Sequence, residues 1–157
     1  FLYNAHSAAS GRGMSMCEFT LGQTFSMMGG MKNENISHIP FDADQSDRST
    51  YSSILEKTSN QSRVIVVCAP ATALRDILLS ADDLGLLSSG EYVFFNVDLF
   101  STSSGLVKPW INEEATADEN ERAKQAFKAV LTISALSDKN EGFDNFRKKV
   151  EDVSRNL

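Results

Sequence analysis

The sequence predicts an α/β domain with a mostly parallel sheet that is covered by helices on both faces. Val64–Val67 is a continuous β-branched run without polar alternation, which is typical of a strand buried on both faces of a parallel sheet. A helical repeat of apolar residues over 71–84 and a second apolar run, Tyr92–Val97, follow it. A strand–helix–strand unit of this length is expected to form a right-handed crossover between parallel strands.

The first third of the chain contains two predicted strands and two predicted helices. Phe1–Tyr3 and Ile36–Phe41 are short and apolar, and we expect both to be strands. The small and polar residues 5–13 indicate a loop after the first of them. Met14–Met28 carries apolar residues at helical spacing, and Ser49–Ser59 is amphipathic in the same way, so both segments predict helices.

The middle of the chain contains the strand–helix–strand unit. Its first strand, 63–68, ends before Pro70, a residue that is favoured in the first turn of a helix. The helix over 71–84 is expected to end at Gly85, because glycine readily adopts the left-handed conformation of a C-terminal cap. The second strand is predicted over 92–97.

The last third begins with an irregular stretch and then resumes the alternation. Residues 99–116 form a longer connection than is usual in a compact domain. A helix is predicted over Ala117–Ala126 with Asp118 as its N-cap, followed by a strand over Val130–Ser134 and a helix over Phe143–Leu157. Strands and helices thus alternate along the chain, as expected of an α/β fold.

Composition indicates an ordinary soluble domain and excludes some partners. The 157 residues are enough for one domain with its own core. With 15 basic and 21 acidic residues the net charge is −6, which argues against binding to nucleic acid or to anionic lipid. The chain starts within an apolar strand and ends in a helical pattern without a stop signal. We therefore expect residues 1–157 to be a single domain cut from a longer polypeptide.

No pattern in the sequence predicts a catalytic centre, a cofactor or a metal site. Gly11–Gly13 resembles a truncated phosphate loop, but Met16 occupies the place of the third glycine, so a flexible turn is favoured. The acidic residues Asp42, Asp44 and Asp47 lack the glycine and the final glutamate of a calcium-binding loop. A solvated acidic turn is therefore the better interpretation.

The histidines and cysteines do not predict a metal site either. His6 and His38 have no acidic partners at a spacing that suggests metal ligands. Cys17 and Cys68 are far apart in the sequence and form no CxxC pair. A disulfide between them and two unrelated buried thiols are both compatible with the sequence.

Two N-glycosylation sequons fall on predicted surface turns. They are Asn35-Ile36-Ser37 and Asn60-Gln61-Ser62. Glycosylation at Asn35 and Asn60 requires passage through the secretory pathway, so the two triplets favour a secreted or extracellular chain. That compartment also favours a disulfide.

Five segments in order give the chain a specific resemblance. They are Arg63–Cys68, Leu86-Leu87, Gly90–Phe100, Lys108–Trp110 and Ala123–Ala129. Together they resemble the ligand-binding ectodomain of natriuretic peptide receptors and related receptor guanylate cyclases. The resemblance extends over most of the chain from about residue 41 onwards, and it is weaker before that point.

The resemblance implies a fold, a compartment and a role. The family has the type I periplasmic-binding-protein fold, with two α/β lobes around a cleft, and the matching part is most of the second, membrane-proximal lobe. It implies a disulfide between Cys17 and Cys68, since the family carries one in this lobe. It also implies the extracellular part of a single-pass plasma-membrane receptor, which senses a peptide or other ligand. A cytoplasmic domain outside this chain would then produce cyclic GMP, and the chain itself would not be an enzyme. A clearance-type receptor without a cyclase domain fits the same resemblance.

The resemblance also implies ligand-contact positions and partners. The positions that match peptide contacts of the hormone-binding members are Glu18, Gly22, Phe25, His38, Pro40 and Phe41. Glu18, Phe25, His38 and Phe41 are the ligand-binding residues we expect. Gly22 and Pro40 replace residues that are usually acidic in the hormone receptors, so the ligand is not identified by the match. The expected partners are a ligand in the cleft, a first lobe outside this chain, and a second receptor copy.

Two alternative functions remain open on the sequence. The first is a lobe of a binding protein or receptor for amino acids or other small molecules, with the same fold. The residues that follow Leu157 in the intact protein would discriminate it from a receptor cyclase. The second is a nucleotide-binding α/β enzyme that uses Gly11–Gly13, for which nucleotide binding would be lost on Gly13→Val.

Overall fold

A single parallel sheet forms the centre of the molecule. The computed structural model describes residues 1–5, 13–29, 36–99 and 108–134, and five positions between 145 and 152. The sheet has five strands in the order β2-β1-β3-β4-β5, and every adjacent pair is parallel. The strands are β1 (Leu2–Asn4), β2 (Ile39–Phe41), β3 (Val64–Cys68), β4 (Val93–Asp98) and β5 (Val130–Ser134).

Helices lie on both faces of this sheet, which confirms the predicted fold class. The helices are α1 (Met16–Gly29), α2 (Arg48–Ser59), α3 (Ala71–Asp83) and α4 (Ala117–Lys128). Helix α3 lies between α2 and α4 and contacts both. Helix α1 packs against β1 on the other face. The result is the layered α/β architecture expected of one lobe of a periplasmic-binding-protein-like fold.

The alternation of side chains along the strands divides the core in two. Leu2 of β1 belongs to the large core beneath α2 and α3, together with Leu55 and Ile77. Its neighbour Tyr3 points to the opposite face, where it joins Leu21 of α1 in a smaller core. The two cores are therefore separated by the sheet itself.

Helix α3 ends as the sequence predicts. Gly85 has a positive φ of 69°. The Gly85 N–H donates to Asp82 O and the Leu86 N–H donates to Ala81 O, both at 2.9 Å. This pair of bonds is a Schellman motif, in which the left-handed residue lets the chain turn back and satisfy carbonyls of the last helical turn.

Helix α4 begins at Ala117 as predicted, but the predicted N-cap is wrong by two residues. Thr116, with an extended backbone, is the N-cap, and its side-chain oxygen accepts a hydrogen bond from the Glu119 N–H at 3.2 Å. Asp118 instead lies in the first turn. A carboxylate there is still favourable, because the N-terminal end of a helix carries partial positive charge.

The expectation that β3 is buried on both faces is also wrong for its first residue. Ile65 and Val67 are buried against α2 and α3, whereas Val64 is 55% exposed. Helix α1 covers only the β1 side of its face, so nothing among the described residues covers the first residues of β3.

Some predicted segments lie outside the described residues. They include residues 6–12 of the first loop, 100–107 of the long connection and most of the predicted helix Phe143–Leu157. Five residues of that last segment are described and helical: Asn145, Phe146, Lys148, Lys149 and Asp152. Across the described part of the chain, no helix combines the length and apolarity needed to cross a membrane.

Candidate functional site

A pocket of about 260 Å³ opens at the carboxyl ends of β1, β3 and β4. Among the residues that line it are Asn4, Ser15, Cys17, Cys68, Val97 and Asp98. The strand order changes direction here, because β2 lies on one side of β1 and β3 on the other. In open α/β sheets, ligands bind in the crevice outside the carboxyl ends of the strands at such a switch point.

The first turn of α1 is fixed to the end of β1 by Ser15. The Ser15 hydroxyl donates to the Asn4 carbonyl oxygen and accepts from the Glu18 N–H. The sequence prediction began this helix at Met14 and missed the cap. Its signal was present, since a serine three residues before a glutamate is the pattern of a capping box.

The Cys17–Cys68 disulfide forms a wall of the pocket. It joins the first turn of α1 to the last residue of β3, with the two Cα atoms 5.4 Å apart. The pairing that the resemblance implied is therefore confirmed. Because the bridge lies at the carboxyl edge of the sheet, it fixes α1 against the end of β3, one of the three strands whose ends line the pocket.

The pocket is mainly apolar with a few polar groups. Val97 and the disulfide give apolar walls, while Asn4 and Thr20 contribute polar atoms. Asp98 is the charged residue among the described residues that line it. A site of this chemistry suits a small ligand that carries apolar surface and one or two hydrogen-bonding or cationic groups.

Two of the predicted ligand residues contact each other on the α1 face. The ring of Phe25 lies 4.4 Å from the ring of His38, centroid to centroid. Tyr3 lies parallel to His38 at 6.1 Å, and a hydrogen bond joins its hydroxyl to Nδ1 of His38 at 3.1 Å. Tyr3 was not singled out from the sequence, because the contact depends on how β1 pairs with β2.

Glu18 lies on the same side of α1 as Phe25. Glu18, Gly22 and Phe25 are four and three residues apart, so they follow one side of the helix over a rise of about 10 Å. Apart from its chain neighbours and the backbone of α1 itself, no atom lies within 4 Å of the place that a Cβ would take at Gly22. The surface between Glu18 and Phe25 is therefore open.

The structure does not bring Phe41 to this surface. Phe41 is 6% exposed and lies in the large core, where its ring meets that of Tyr51 edge to face at 5.5 Å. The neighbouring Pro40 is exposed and pairs in register with Tyr3. Glu18, Phe25 and His38 thus share the α1 face of the sheet, and Phe41 lies on the other.

A comparison with known protein families decides the family of the chain. The family described as "Receptor family ligand binding region" (ANF receptor) matches residues 21–157. The chain belongs to the ANF receptor family.

Three relatives give the range of similarity within the ANF receptor family. "Receptor-type guanylate cyclase gcy-28" of Caenorhabditis elegans is 42% identical over 120 residues, which are 75% of this chain and 9% of that protein. "Atrial natriuretic peptide receptor 3" of Mus musculus is 27% identical over 135 residues, or 86% of this chain and 24% of that protein. "Atrial natriuretic peptide receptor 2" of Homo sapiens is 29% identical over 94 residues, or 56% and 9%. The chain therefore spans less than a third of each of these relatives.

The structure describes only some of the remaining predicted sites of this ANF receptor region. Asn60 is exposed at the end of α2, and its side-chain amide donates to the Glu56 carbonyl oxygen at 2.9 Å. Asn35 lies outside the described residues. Within the described ranges, no group of three or more His, Cys, Asp or Glu residues is arranged to hold a metal ion.

Proposed function

We propose that this chain is the second, membrane-proximal lobe of the extracellular ligand-binding region of a receptor guanylate cyclase. The observation that carries the proposal is the ANF receptor match over residues 21–157, together with 42% identity to a receptor-type guanylate cyclase. The described geometry supports it, because a ligand-sized pocket lies at the carboxyl edge of the sheet. The disulfide supports an extracellular location.

In this proposal the pocket is one wall of the cleft between two lobes. A volume of about 260 Å³ is slightly below the ~300–1,000 Å³ of ordinary ligand sites, and the first lobe supplies the opposite wall. Ligand binding favours one arrangement of the lobes, and this change is transmitted across the membrane. A cytoplasmic domain beyond this chain then converts GTP to cyclic GMP, while this lobe only binds.

The α1 surface is the second part of the proposed binding region. The side of α1 that carries Glu18, Gly22 and Phe25 forms an open stripe. Glu18 contributes a carboxylate at one end of this stripe, and Phe25 and His38 contribute aromatic surface at the other end. A stripe of about 10 Å with a gap at Gly22 fits an extended or helical segment of a peptide. Phe41 supports this surface from the core, since it fixes β2 and hence the position of His38.

The proposal is tested on the complete two-lobe ectodomain. Secreted peptides are captured on the wild type and on the double variant Phe25→Ala, His38→Ala. We expect the double variant to lose at least tenfold in affinity for a captured peptide. Met27→Ala is the matched control, because Met27 is an exposed apolar residue of the same helix outside the stripe. Equal affinity of the double variant and Met27→Ala would exclude the α1 surface as the peptide-binding site. An intact receptor that binds the peptide and produces no cyclic GMP would exclude the proposed cyclase function.

A small-molecule ligand is the second candidate, and the pocket is the observation that favours it. Asp98 next to an apolar wall suits the amine of an amino acid or a similar compound. The test is the thermal unfolding of the ectodomain with a panel of amino acids and amines. A rise in the unfolding temperature that Asp98→Asn removes would support this candidate. A nucleotide-binding enzyme has less support, because no described feature other than the exposed Gly13 belongs to its motif.

Receptor dimerisation and glycosylation complete the proposal. We expect the intact receptor to form a homodimer through regions outside this chain. Light scattering would measure the molar mass of the ectodomain alone and of the intact receptor. We expect the mature protein to carry N-glycans at Asn35 and Asn60 as part of an extracellular, single-pass receptor.

A further inference from the structure

The imidazole ring of His38 is held by three contacts within the chain. A hydrogen bond of 3.1 Å joins its Nδ1 to the Tyr3 hydroxyl, and the Phe25 ring lies 4.4 Å from the imidazole ring, centroid to centroid. The backbone beside the ring is fixed as well, because the Ile39 N–H donates to the Phe1 carbonyl oxygen at 2.8 Å. The chain itself therefore determines the orientation of this ring.

The direction of the hydrogen bond between Tyr3 and His38 follows from the groups that each residue offers. A neutral imidazole has one nitrogen that donates and one that accepts, whereas a phenol hydroxyl can do either. If Nδ1 carried the proton, the hydroxyl hydrogen of Tyr3 would have no acceptor among the described residues, although Tyr3 is only 8% exposed. An unpaired polar hydrogen in such a place costs free energy. The Tyr3 hydroxyl therefore donates to Nδ1, and the ring proton of His38 lies on Nε2.

Nε2 lies on the open side of the His38 ring. His38 is exposed, and within the described ranges no residue is hydrogen-bonded to Nε2. The two ring nitrogens direct their bonds away from each other, so the Nε2–H faces away from Tyr3. His38 thus presents a free donor at the end of the open stripe that is opposite Glu18.

We propose that Tyr3 is a positioning residue, which holds His38 in the Nε2–H form so that His38 donates a hydrogen bond to a carbonyl oxygen of a peptide ligand. The inference rests on the proposed role of the open stripe as a peptide-binding surface. Glu18 is an acceptor at one end of the stripe and His38 is a donor at the other. The peptide that fits carries a basic or N–H group and a carbonyl oxygen roughly 10 Å apart, a distance that about three extended residues span.

The form in which Tyr3 holds the ring determines the kind of acceptor. A neutral N–H donor matches a neutral acceptor such as a carbonyl oxygen. A carboxylate would favour the protonated ring, because an opposite charge stabilises the charged form of a group. In the protonated ring Nδ1 also carries a hydrogen, and the Tyr3 hydroxyl could no longer donate to it.

Nitrogen NMR of the histidine rings tests the positioning role without a ligand. In the two-lobe ectodomain at about pH 7.5, where an ordinary imidazole is mostly neutral, Nε2 of His38 should resonate as a protonated nitrogen, and His38→Gln assigns the signal. In Tyr3→Phe this signal should move towards that of an unprotonated nitrogen, because both tautomers are then populated. Tyr51→Phe is the matched control, since it removes the hydroxyl of another buried tyrosine and should leave the signal unchanged.

Affinity measurements test what this positioning does for binding. The probe is a peptide selected from a random library on the wild-type ectodomain, whose binding the double variant Phe25→Ala, His38→Ala abolishes. Tyr3→Phe should weaken binding of this peptide about fivefold, the effect expected of one hydrogen bond, and Tyr51→Phe should not. In a His38→Gln background Tyr3→Phe should have no further effect, because Tyr3 acts through His38.

The two measurements separate the proposal from its alternatives. An unprotonated Nε2 in the wild type, or an Nε2 signal that Tyr3→Phe leaves unchanged, would overturn the positioning role. Equal affinities of the wild type and Tyr3→Phe, or equal losses in both backgrounds, would overturn the role in binding. A ring that is protonated on both nitrogens in the complex would overturn the carbonyl acceptor. A library that yields no such peptide would instead contradict the proposed peptide-binding surface, and the ring signals would decide the role of Tyr3 independently.

Discussion

Cys17 in the first turn of α1 is bonded to Cys68 at the end of β3, and the two residues are 51 positions apart in the sequence. The bridge crosses the point where the strand order changes direction, so it connects the helix that follows β1 to the strand beside β1. It forms a wall of the pocket and lies one residue from Glu18. The disulfide and the candidate site therefore lie at the same corner of the sheet.

Removing this bridge should destabilise the domain substantially. We expect Cys17→Ser with Cys68→Ser to lower the free energy of unfolding by about 4 kcal/mol, the loop-entropy value for a closed loop of this size. Urea denaturation with and without a reducing agent measures the effect. The reductant should shift the wild type and leave the double variant unchanged. Native protein in which both thiols react freely would contradict the pairing.

A second strong prediction concerns Arg75, which is only 5% exposed on α3. Its Nε donates to the Trp110 carbonyl oxygen at 3.2 Å, and Nη2 donates to Asn120 Oδ1 at 3.1 Å. Nη1 lies 3.5 Å from a carboxylate oxygen of Glu119. Arg75 thus joins α3, α4 and the turn that precedes α4.

Arg75→Ala should cost about 2–3 kcal/mol, because it deletes a buried side chain and removes a charged donor from the Trp110 carbonyl oxygen, from Asn120 Oδ1 and from the partly exposed Glu119. Lys124→Ala is the control, since the Lys124 side chain is 44% exposed and pairs at 3.3 Å with Glu121 of the same helix. An exposed pair contributes less than about 1 kcal/mol. Equal losses for the two variants, measured by urea denaturation, would show that Arg75 has no special structural role.

The sequence predicted the order of elements well because that order depends on local patterns. The β-branched run before Pro70 and the glycine at position 85 each determine a boundary through the backbone conformation they allow. The disulfide required the family resemblance, since two distant cysteines carry no pairing information of their own. The exposure of Val64 and the burial of Phe41 depend on which helix covers which face, and that is a property of the assembled sheet.

In the candidate site, too, the sequence predicts the local features and does not predict the contacts between distant residues. Ser15 could have been found from its spacing to Glu18, because a capping box is a local pattern. The contact of Tyr3 with His38 could not be found from the sequence, since it arises from the register in which Tyr3 pairs with Pro40, two residues after His38. The pocket likewise exists only where the ends of three strands meet.

Two glycines should respond to alanine with opposite signs. Gly85 has a φ of 69°, so Gly85→Ala should destabilise the domain by about 1 kcal/mol, because a Cβ is unfavourable in the left-handed region. Gly22 lies inside α1 with open space around it, so Gly22→Ala should stabilise by up to about 1 kcal/mol. Thermal denaturation of the two variants measures both. A loss of stability on Gly22→Ala would contradict the open space around this position.

Glycosylation at Asn60 should be detectable in protein from a secreting eukaryotic cell. The exposed position at the end of α2 leaves room for a glycan, and one amide hydrogen suffices for the bond to Glu56. Both Asn60→Gln and Ser62→Ala should remove one of the two glycans expected at Asn35 and Asn60, observed as a loss of about half of the mass that complete enzymatic deglycosylation removes. Gln61→Ala is the control, since it leaves the sequon intact. A Ser62→Ala protein with unchanged mass would contradict the site.

Asp47, the N-cap of α2, should make the stability of the domain depend on pH in the acidic range. Its carboxylate accepts hydrogen bonds from the Ser49 hydroxyl, the Thr50 N–H and the Thr50 hydroxyl. These bonds lower the pKa of Asp47 from its ordinary value of 3.8 to about 2. A carboxylate with a lowered pKa stabilises the folded state above its unfolded pKa, and the stabilisation is lost as the pH falls from about 4 to about 2.

Comparison of Asp47→Ala and Asp47→Ser isolates this effect. Serine caps a helix without titrating in this range, whereas alanine does not cap. The difference in urea midpoint between the wild type and Asp47→Ala should therefore shrink as the pH falls from 4 to 2. The difference between Asp47→Ser and Asp47→Ala should stay constant over the same range, because other acidic groups contribute equally to both variants. A wild-type advantage over Asp47→Ala that is unchanged at pH 2 would mean that the cap acts without its charge.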